Sequence, residues 1–212
     1  EMKNIVILIS GRGSNMESLV GSVTSNVLPA RGAGVFSNRP EAQGLATAAA
    51  HGITTRVIDH TQFANREAFD AAMIQAIDGY NPHLVVLAGF MRILTPSFVQ
   101  HYSDRLLNIH PSLLPKHKGL HTHQRALEAG DNEHGCSVHF VTAELDGGPV
   151  IVQTVMPVHA ADTAETLAQR VHEQEHQIYP MAVRWFAQGR LRLSTSVAEL
   201  DQHTLPACGL QS

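Results

Sequence analysis

Cysteine is scarce in this chain: two in 212 residues, Cys136 and Cys208, far apart and without a CxxC pair. That excludes a disulfide framework and a thiolate zinc cluster, and it suits a reducing compartment. Basic excess is absent too, with 15 Lys+Arg against 19 Asp+Glu, a formal charge of -4 and no basic stretch. A nucleic-acid partner is therefore not expected. No apolar run approaches the ~20 residues of a membrane helix, so a membrane-spanning helix is excluded and no membrane partner is expected. The short apolar run after Lys3 is followed by no cleavage site and is not expected to be a secretion signal, which points to the cytoplasm. Internal repeats, low-complexity tracts and linkers are missing as well, so one domain over 1–212 is expected.

What is present is enough for a core. Hydrophobic residues make up 43% and charged residues 16%. A chain of this length buries roughly 70% of its unfolded surface, with no need of a disulfide or a metal. Lys3 to Ser10 is a continuous β-branched run, too short for a helix and apolar on both faces, as in a buried parallel strand. A helix is predicted over Met16 to Val23 and a second strand over Ala33 to Ser37. An Ala-rich helix from Glu41 to His51 should stop at Gly52. Ile53 to Ile58 reads as a third strand. Asn65 to Tyr80 reads as a helix with Phe69, Met73, Ile74 and Ile77 on one stripe, and Pro82 to Ala88 as a fourth strand. This alternation implies right-handed βαβ units and a parallel sheet with both faces covered.

The second half is less regular. A short helix over Pro96 to Tyr102 precedes a strand over Leu106 to His110, a loop over Pro111 to Gly119, and a helix over His121 to Glu128 closed by Gly130. Cys136 to Val141 and Val150 to Met156 flank Asp146-Gly147-Gly148-Pro149, a spacing too short for a helical crossover, so this pair should be antiparallel. Asp162 with Glu165 three residues on fits a helix N-cap, and the helix from Thr163 to Gln188 should kink or break near Pro180 before Gly189 ends it. The stretch from Ser194 onward reads as strand and turn. The expected class is α/β: three layers around a mostly parallel twisted sheet of about seven strands, with a Rossmann-like N-terminal half and an antiparallel C-terminal pair.

Gly11-x-Gly13 lies between the first strand and the first helix, where backbone N–H groups and the helix dipole favour an anion. A dinucleotide fingerprint would need glycine where Met16 stands and an acid where Ser37-Asn38 ends the second strand, and the Gly-Lys-[Ser/Thr] of a nucleotide P-loop is missing. With Ser14 and Asn15 adjoining, the loop suits a single phosphate monoester; it also suits a plain strand-to-helix turn.

Asn108 and His110 stand two apart at a strand end, so their side chains share a face, and Pro111 stops the strand. Ligands of open α/β sheets sit at such carboxyl ends. An amide can stabilise an oxyanion and an imidazole can move protons near neutral pH, a plausible acyl-transfer pair. Asp146, in a glycine-rich loop, could orient His110 and stabilise its charged form. His110 could equally cap a loop, and Asp146 could be a turn residue. No Gly-x-Ser-x-Gly elbow offers a nucleophile, which favours direct transfer between two bound substrates.

The 14 histidines are unusual. His117, His121, His123, His134 and His139 crowd one region, and His121-x-His123 has ligand spacing. No His-Glu-x-x-His occurs and no carboxylate has a third-ligand spacing. Hydrogen-bonded loop histidines are the preferred reading, and no metal is expected.

Asn108-Ile109-His110-Pro111-Ser112-Leu113-Leu114-Pro115, then Gly119, His121 and Ala126, then Gly135 to Val141, then Asp146-Gly147-Gly148-Pro149-Val150-Ile151 together resemble the folate-dependent formyltransferase family. Gly11 to Asn15 and Gly89-Phe90-Met91-Arg92-Ile93-Leu94 extend the likeness, which runs from Lys3 to Arg192. The resemblance implies transfer of formyl from the co-substrate 10-formyltetrahydrofolate to the amine of phosphoribosylglycinamide, in purine synthesis, with small-molecule partners and a monomer or weak homodimer. It implies a catalytic trio of Asn108, His110 and Asp146. Gly13, Ser14, Asn15, His172, Glu173, Gln174 and Glu175 would hold the glycinamide substrate. The folate would meet Arg66, Met91, Arg92, Ile93, Leu94, Asn108, Thr142, Ala143, Glu144, Leu145 and Asp146. The halves 1–100 and 101–212 would be phosphate-binding and folate-binding with catalysis, respectively. Two departures stand out: His172 replaces a frequent Gln, and His117-Lys118 replace an aromatic and a Pro. A formylfolate hydrolase or a tRNA-directed formyltransferase would want an additional domain, and a non-catalytic phosphate module remains a reading of another class.

Overall fold

The computed structural model describes residues 2–212; Glu1 lies outside them. The chain divides into two compact units, one ending at Leu107 and the other spanning Asn108–Ser212.

The first unit is a βα alternation. Strands β1 (Lys3–Ile9), β2 (Ala30–Ser37), β3 (Thr55–Val57) and β4 (Leu84–Leu87) are separated by helices α1 (Ser14–Thr24), α2 (Gln43–Ala50) and α3 (Arg66–Asp78). β1 pairs in parallel with β2 on one side and β4 on the other, and β3 extends the sheet beyond β2. Val6, Leu8 and Ile9 are fully buried along with Val35, Phe36 and Leu84 to Val86, as expected for strands covered on both faces. On α3 the buried stripe is Phe69, Asp70, Met73 and Ile77; the period is the one foreseen, but Ile74, expected on the stripe, is only half-buried, and an aspartate joins the apolar residues. α2 starts two residues later than expected, and Gly52 takes the left-handed position after it at φ 76°. α4 (Pro96–His101) begins at Thr95, whose hydroxyl accepts from the Phe98 N–H.

β5 (Leu106–His110) crosses the boundary between the units. In the second unit, α5 (Thr122–Glu128) precedes β6 (Glu133–Phe140) and β7 (Val150–Pro157), which pair antiparallel as their spacing requires. α6 (Ala164–Ala187) follows, and then β8 (Leu191–Ser194), β9 (Val197–Leu200) and β10 (His203–Thr204) form a separate antiparallel sheet; β11 (Leu210–Gln211) adds to β7 in parallel. The class is thus the expected one: mostly parallel strands with helices, an antiparallel β6–β7 pair, and a small sheet that the sequence marked only as strand and turn.

Two expectations about α6 are corrected. The N-cap is Thr163, not Asp162: Thr163 Oγ1 accepts from the Thr166 N–H, and Thr166 Oγ1 accepts in turn from the Thr163 N–H. Asp162 instead accepts from the His159 N–H, pairs with Arg170 and accepts from the Thr166 hydroxyl, so its carboxylate caps no main-chain N–H of the helix. Nor does Pro180 break the helix, which runs 24 residues through it. One missing N–H is tolerated because Val171, Ile178, Tyr179, Ala182 and Val183 are buried on both sides of the proline.

Candidate active site

Asn108 lies on β5 with its Nδ2 3.3 Å from Nε2 of His139 on β6. His139 is buried, and its Nδ1 is 2.9 Å from the Phe140 carbonyl. A carbonyl can only accept, so Nδ1 carries the proton and Nε2 is left as the acceptor for the Asn108 amide. Burial holds the His139 pKa below its usual value, which keeps the ring neutral in this role. The Asn108 amide is thereby oriented, with a second N–H left over. Sequence reasoning set His139 among loop histidines; its place inside a strand, two residues from Cys136-Ser137, was the available signal.

His110 closes the same strand and is buried. Its Nε2 donates to the His117 carbonyl at 2.8 Å, which leaves Nδ1 facing Asp146 Oδ2 at 3.6 Å. Asp146 sits in a left-handed conformation at φ 51°, and the same Oδ2 accepts from the Gly119 N–H at 2.8 Å. The carboxylate is in ion-pair range of the imidazole without a direct hydrogen bond to it. The turn is tight: a Cβ on Gly148 would stand 1.8 Å from the Phe140 carbonyl oxygen, so only glycine lets the loop lie there. Around this pair, Glu144 meets Lys118 at 3.4 Å, Leu145 is exposed, Ala143 is exposed and Thr142 half-buried.

Two further histidines of this region pair with each other. His123 Nδ1 lies 3.0 Å from His134 Nε2, and both rings are pushed down to about 4, first by burial and then by neighbouring histidines. His117 Nε2 bonds Asp131 at 2.7 Å, and that bond is the main reason the Asp131 carboxyl is held below its usual range. His121 takes the left-handed N-cap position of α5. Among the described residues no group of three or more His, Cys, Asp or Glu is placed to hold a metal ion.

On α6, His172 and Glu173 are exposed and Glu175 is buried. Four consecutive helical positions cannot share one face, and Glu173 and Glu175 project to opposite sides. Glu175 is close enough to raise the Cys136 thiol and the Tyr179 hydroxyl, both already pushed up by burial.

In the first unit, Gly13 is the left-handed N-cap of α1 at φ 72° and supplies no side-chain cap, so the first-turn N–H groups are not capped from that residue. Gly44 of α2 approaches this loop so closely that its N–H bonds the Gly11 carbonyl at 3.0 Å, and a Cβ there would stand 2.5 Å from Ile9 Cδ1. Sequence reasoning missed Gly44, since a lone glycine inside an Ala-rich helix carries no periodic signal. Arg66 opens α3 behind the Asn65 N-cap. Met91 to Leu94 connect β4 to α4, with Met91 67% and Ile93 61% exposed.

An amide donor held by a neutral imidazole, and a second imidazole beside a carboxylate, suit acyl transfer. Comparison with known proteins agrees. The formyl transferase family matches residues 3–183. The chain belongs to the formyl transferase family. Within it, the chain is 54% identical over 206 residues to the phosphoribosylglycinamide formyltransferase of Escherichia coli, covering 97% of each. It is 43% identical over 189 residues to the human trifunctional purine biosynthetic protein adenosine-3, covering 89% of this chain and 19% of that one. Among solved formyl transferases, the phosphoribosylglycinamide formyltransferase of Coxiella burnetii in complex with CHES superposes with a TM-score of 0.96 at 47% identity, over 100% of this chain and 99% of that one.

Proposed function

We propose that this formyl transferase moves the formyl group of 10-formyltetrahydrofolate to the glycinamide amine of phosphoribosylglycinamide, a step of purine biosynthesis. The 54% identity to a phosphoribosylglycinamide formyltransferase across 97% of the chain carries this reading. The amine attacks the formyl carbon, forming a C–N bond and a tetrahedral intermediate. Asn108 donates its remaining Nδ2–H to the oxyanion; losing such a donor typically costs about 3 kcal/mol. Cleavage of the bond to folate N10 follows, and the proton lost by the amine reaches N10. His110 carries that proton, and Asp146 aligns its ring and stabilises the charged form. The products are the N-formyl glycinamide and tetrahydrofolate.

Gly13, Ser14 and Asn15 bind the substrate phosphate, and Glu175, with His172 one turn before it and Gln174 beside it, the glycinamide part; Glu173, on the opposite side of the helix, is left out of the contact. Arg66, Met91 to Leu94, Asn108 and Thr142 to Asp146 bind the folate. The two units serve one reaction, no metal takes part, and the enzyme works in the cytoplasm as a monomer or weak homodimer.

Tetrahydrofolate release, followed with and without phosphoribosylglycinamide, tests this. Release only when the glycinamide is present is expected. Release without it would mean a hydrolase, and none in either case would mean a non-catalytic phosphate-binding protein.

A further inference from the structure

The segment from Gly89 to Thr95 has no strand or helix to shape it, yet it presents two apolar side chains to solvent, Met91 at 67% and Ile93 at 61% exposure. Two exposed apolar side chains are not a binding site by themselves; the main chain that carries them, however, is anchored at each end by a buried polar side chain.

At the first end stands Ser10, 4% exposed, the residue after β1. Its N–H donates to the Gly89 carbonyl at 3.2 Å, and its Oγ accepts from the Met91 N–H at 2.7 Å. The hydroxyl proton is committed elsewhere, to Asn38 Oδ1 at 2.6 Å, and Asn38 Nδ2 in turn lies 3.1 Å from His60 Nδ1. The serine oxygen is thereby fixed as an acceptor. At the other end stands Asp70 of α3, 2% exposed, whose Oδ2 accepts from the Thr95 N–H at 2.7 Å. A carboxylate inside an apolar helix stripe is costly unless something uses it, and a charge-assisted bond to a main-chain N–H is such a use.

We propose that Ser10 and Asp70 are positioning residues that hold the 91–94 segment, from its two ends, in the shape that receives the folate. Neither touches the reacting atoms. They lie on different elements, and what they share is this segment. The inference rests on the folate reading of Met91 to Leu94.

Steady-state kinetics on Ser10→Ala and Asp70→Ala test it, with Asp70→Asn as the conservative variant that can still accept from Thr95. Each alanine variant is expected to raise KM for 10-formyltetrahydrofolate about tenfold, because each leaves a main-chain N–H unpaired. Values of kcat and of KM for phosphoribosylglycinamide should stay within about twofold, and Asp70→Asn should recover most of the folate KM. Equal rises in both KM values, a fall in kcat alone, or no rescue by Asp70→Asn would overturn the proposal. If an alanine variant fails to fold, amide hydrogen exchange in the wild-type protein decides: Met91 and Thr95 N–H groups should be protected, and exchange as fast as in an open loop would overturn it. A wild-type protein that releases no tetrahydrofolate in the presence of the glycinamide would count against the proposed function instead; the exchange measurement still judges the anchors.

Discussion

His139 Nε2 accepts from Asn108 Nδ2 at 3.3 Å because His139 Nδ1 is held against the Phe140 carbonyl at 2.9 Å. The tautomer of one buried imidazole thus sets the direction of the Asn108 amide, the proposed oxyanion donor. His139→Leu fills the space but removes the acceptor, so the Asn108 amide is free to rotate. We expect kcat to fall roughly tenfold, less than the 10²–10³-fold loss typical of deleting an oxyanion donor outright. His139→Gln, which can still accept, should lose less. Steady-state rates for the two variants check this; equal rates for His139→Leu and wild type would mean that Asn108 needs no such support.

Asp146→Asn keeps the shape of the loop and the acceptor for Gly119 N–H while removing the charge 3.6 Å from His110 Nδ1. Proton handling should suffer and ground-state binding should not. The expected loss is in kcat, about 10²–10⁴-fold, with both KM values little changed. A normal kcat with a raised KM would assign Asp146 to binding.

Part of the geometry at the candidate site was legible because the relevant periods are short. A two-residue step puts Asn108 and His110 on one face of a strand, and the gap between Val141 and Val150 leaves room only for an antiparallel return. What escaped the sequence depends on contacts between distant residues. Gly44 matters because α2 packs within reach of the Gly11 carbonyl, and Asp70 matters because Thr95 ends a loop beside it. Thr163 and Asp162 are both good caps, and only the competing demand of Arg170 on Asp162 decides between them. Pro180 would break an isolated helix; burial of the residues around it decides otherwise.

Ser14→Ala and Gly44→Ala should both weaken phosphoribosylglycinamide, for different reasons. The first removes a hydroxyl from the loop after Gly13. The second forces a Cβ to within 2.5 Å of Ile9 Cδ1 and 3.0 Å of the Arg12 carbonyl, so the loop must shift. Isothermal titration should show weaker glycinamide binding in both and unchanged folate binding. Overpacking of this kind costs about 1–3 kcal/mol, so Gly44→Ala alone should also lower the unfolding midpoint. A Gly44→Ala protein with native stability and native glycinamide affinity would show that the close approach has no consequence.

The His123–His134 pair makes stability depend on pH in a direction opposite to that of an ion-paired histidine. Both rings are held down to about 4 from an ordinary value of 6.5, by burial first. Between those values the unfolded chain binds protons that the folded one refuses. Stability is therefore complete above about 6.5 and declines as pH falls toward about 4, by at most about 1.4 kcal/mol per pH unit for each histidine. Below about 4 both states are protonated and these two rings contribute no further loss. Urea unfolding at pH 7 and pH 5 should show the drop, and the double variant His123→Gln, His134→Gln should flatten it while leaving the carboxylate-driven loss at lower pH. A wild-type midpoint that does not move between pH 7 and pH 5, or a double variant that keeps the same slope, would mean that these rings stay accessible to protons in the folded protein.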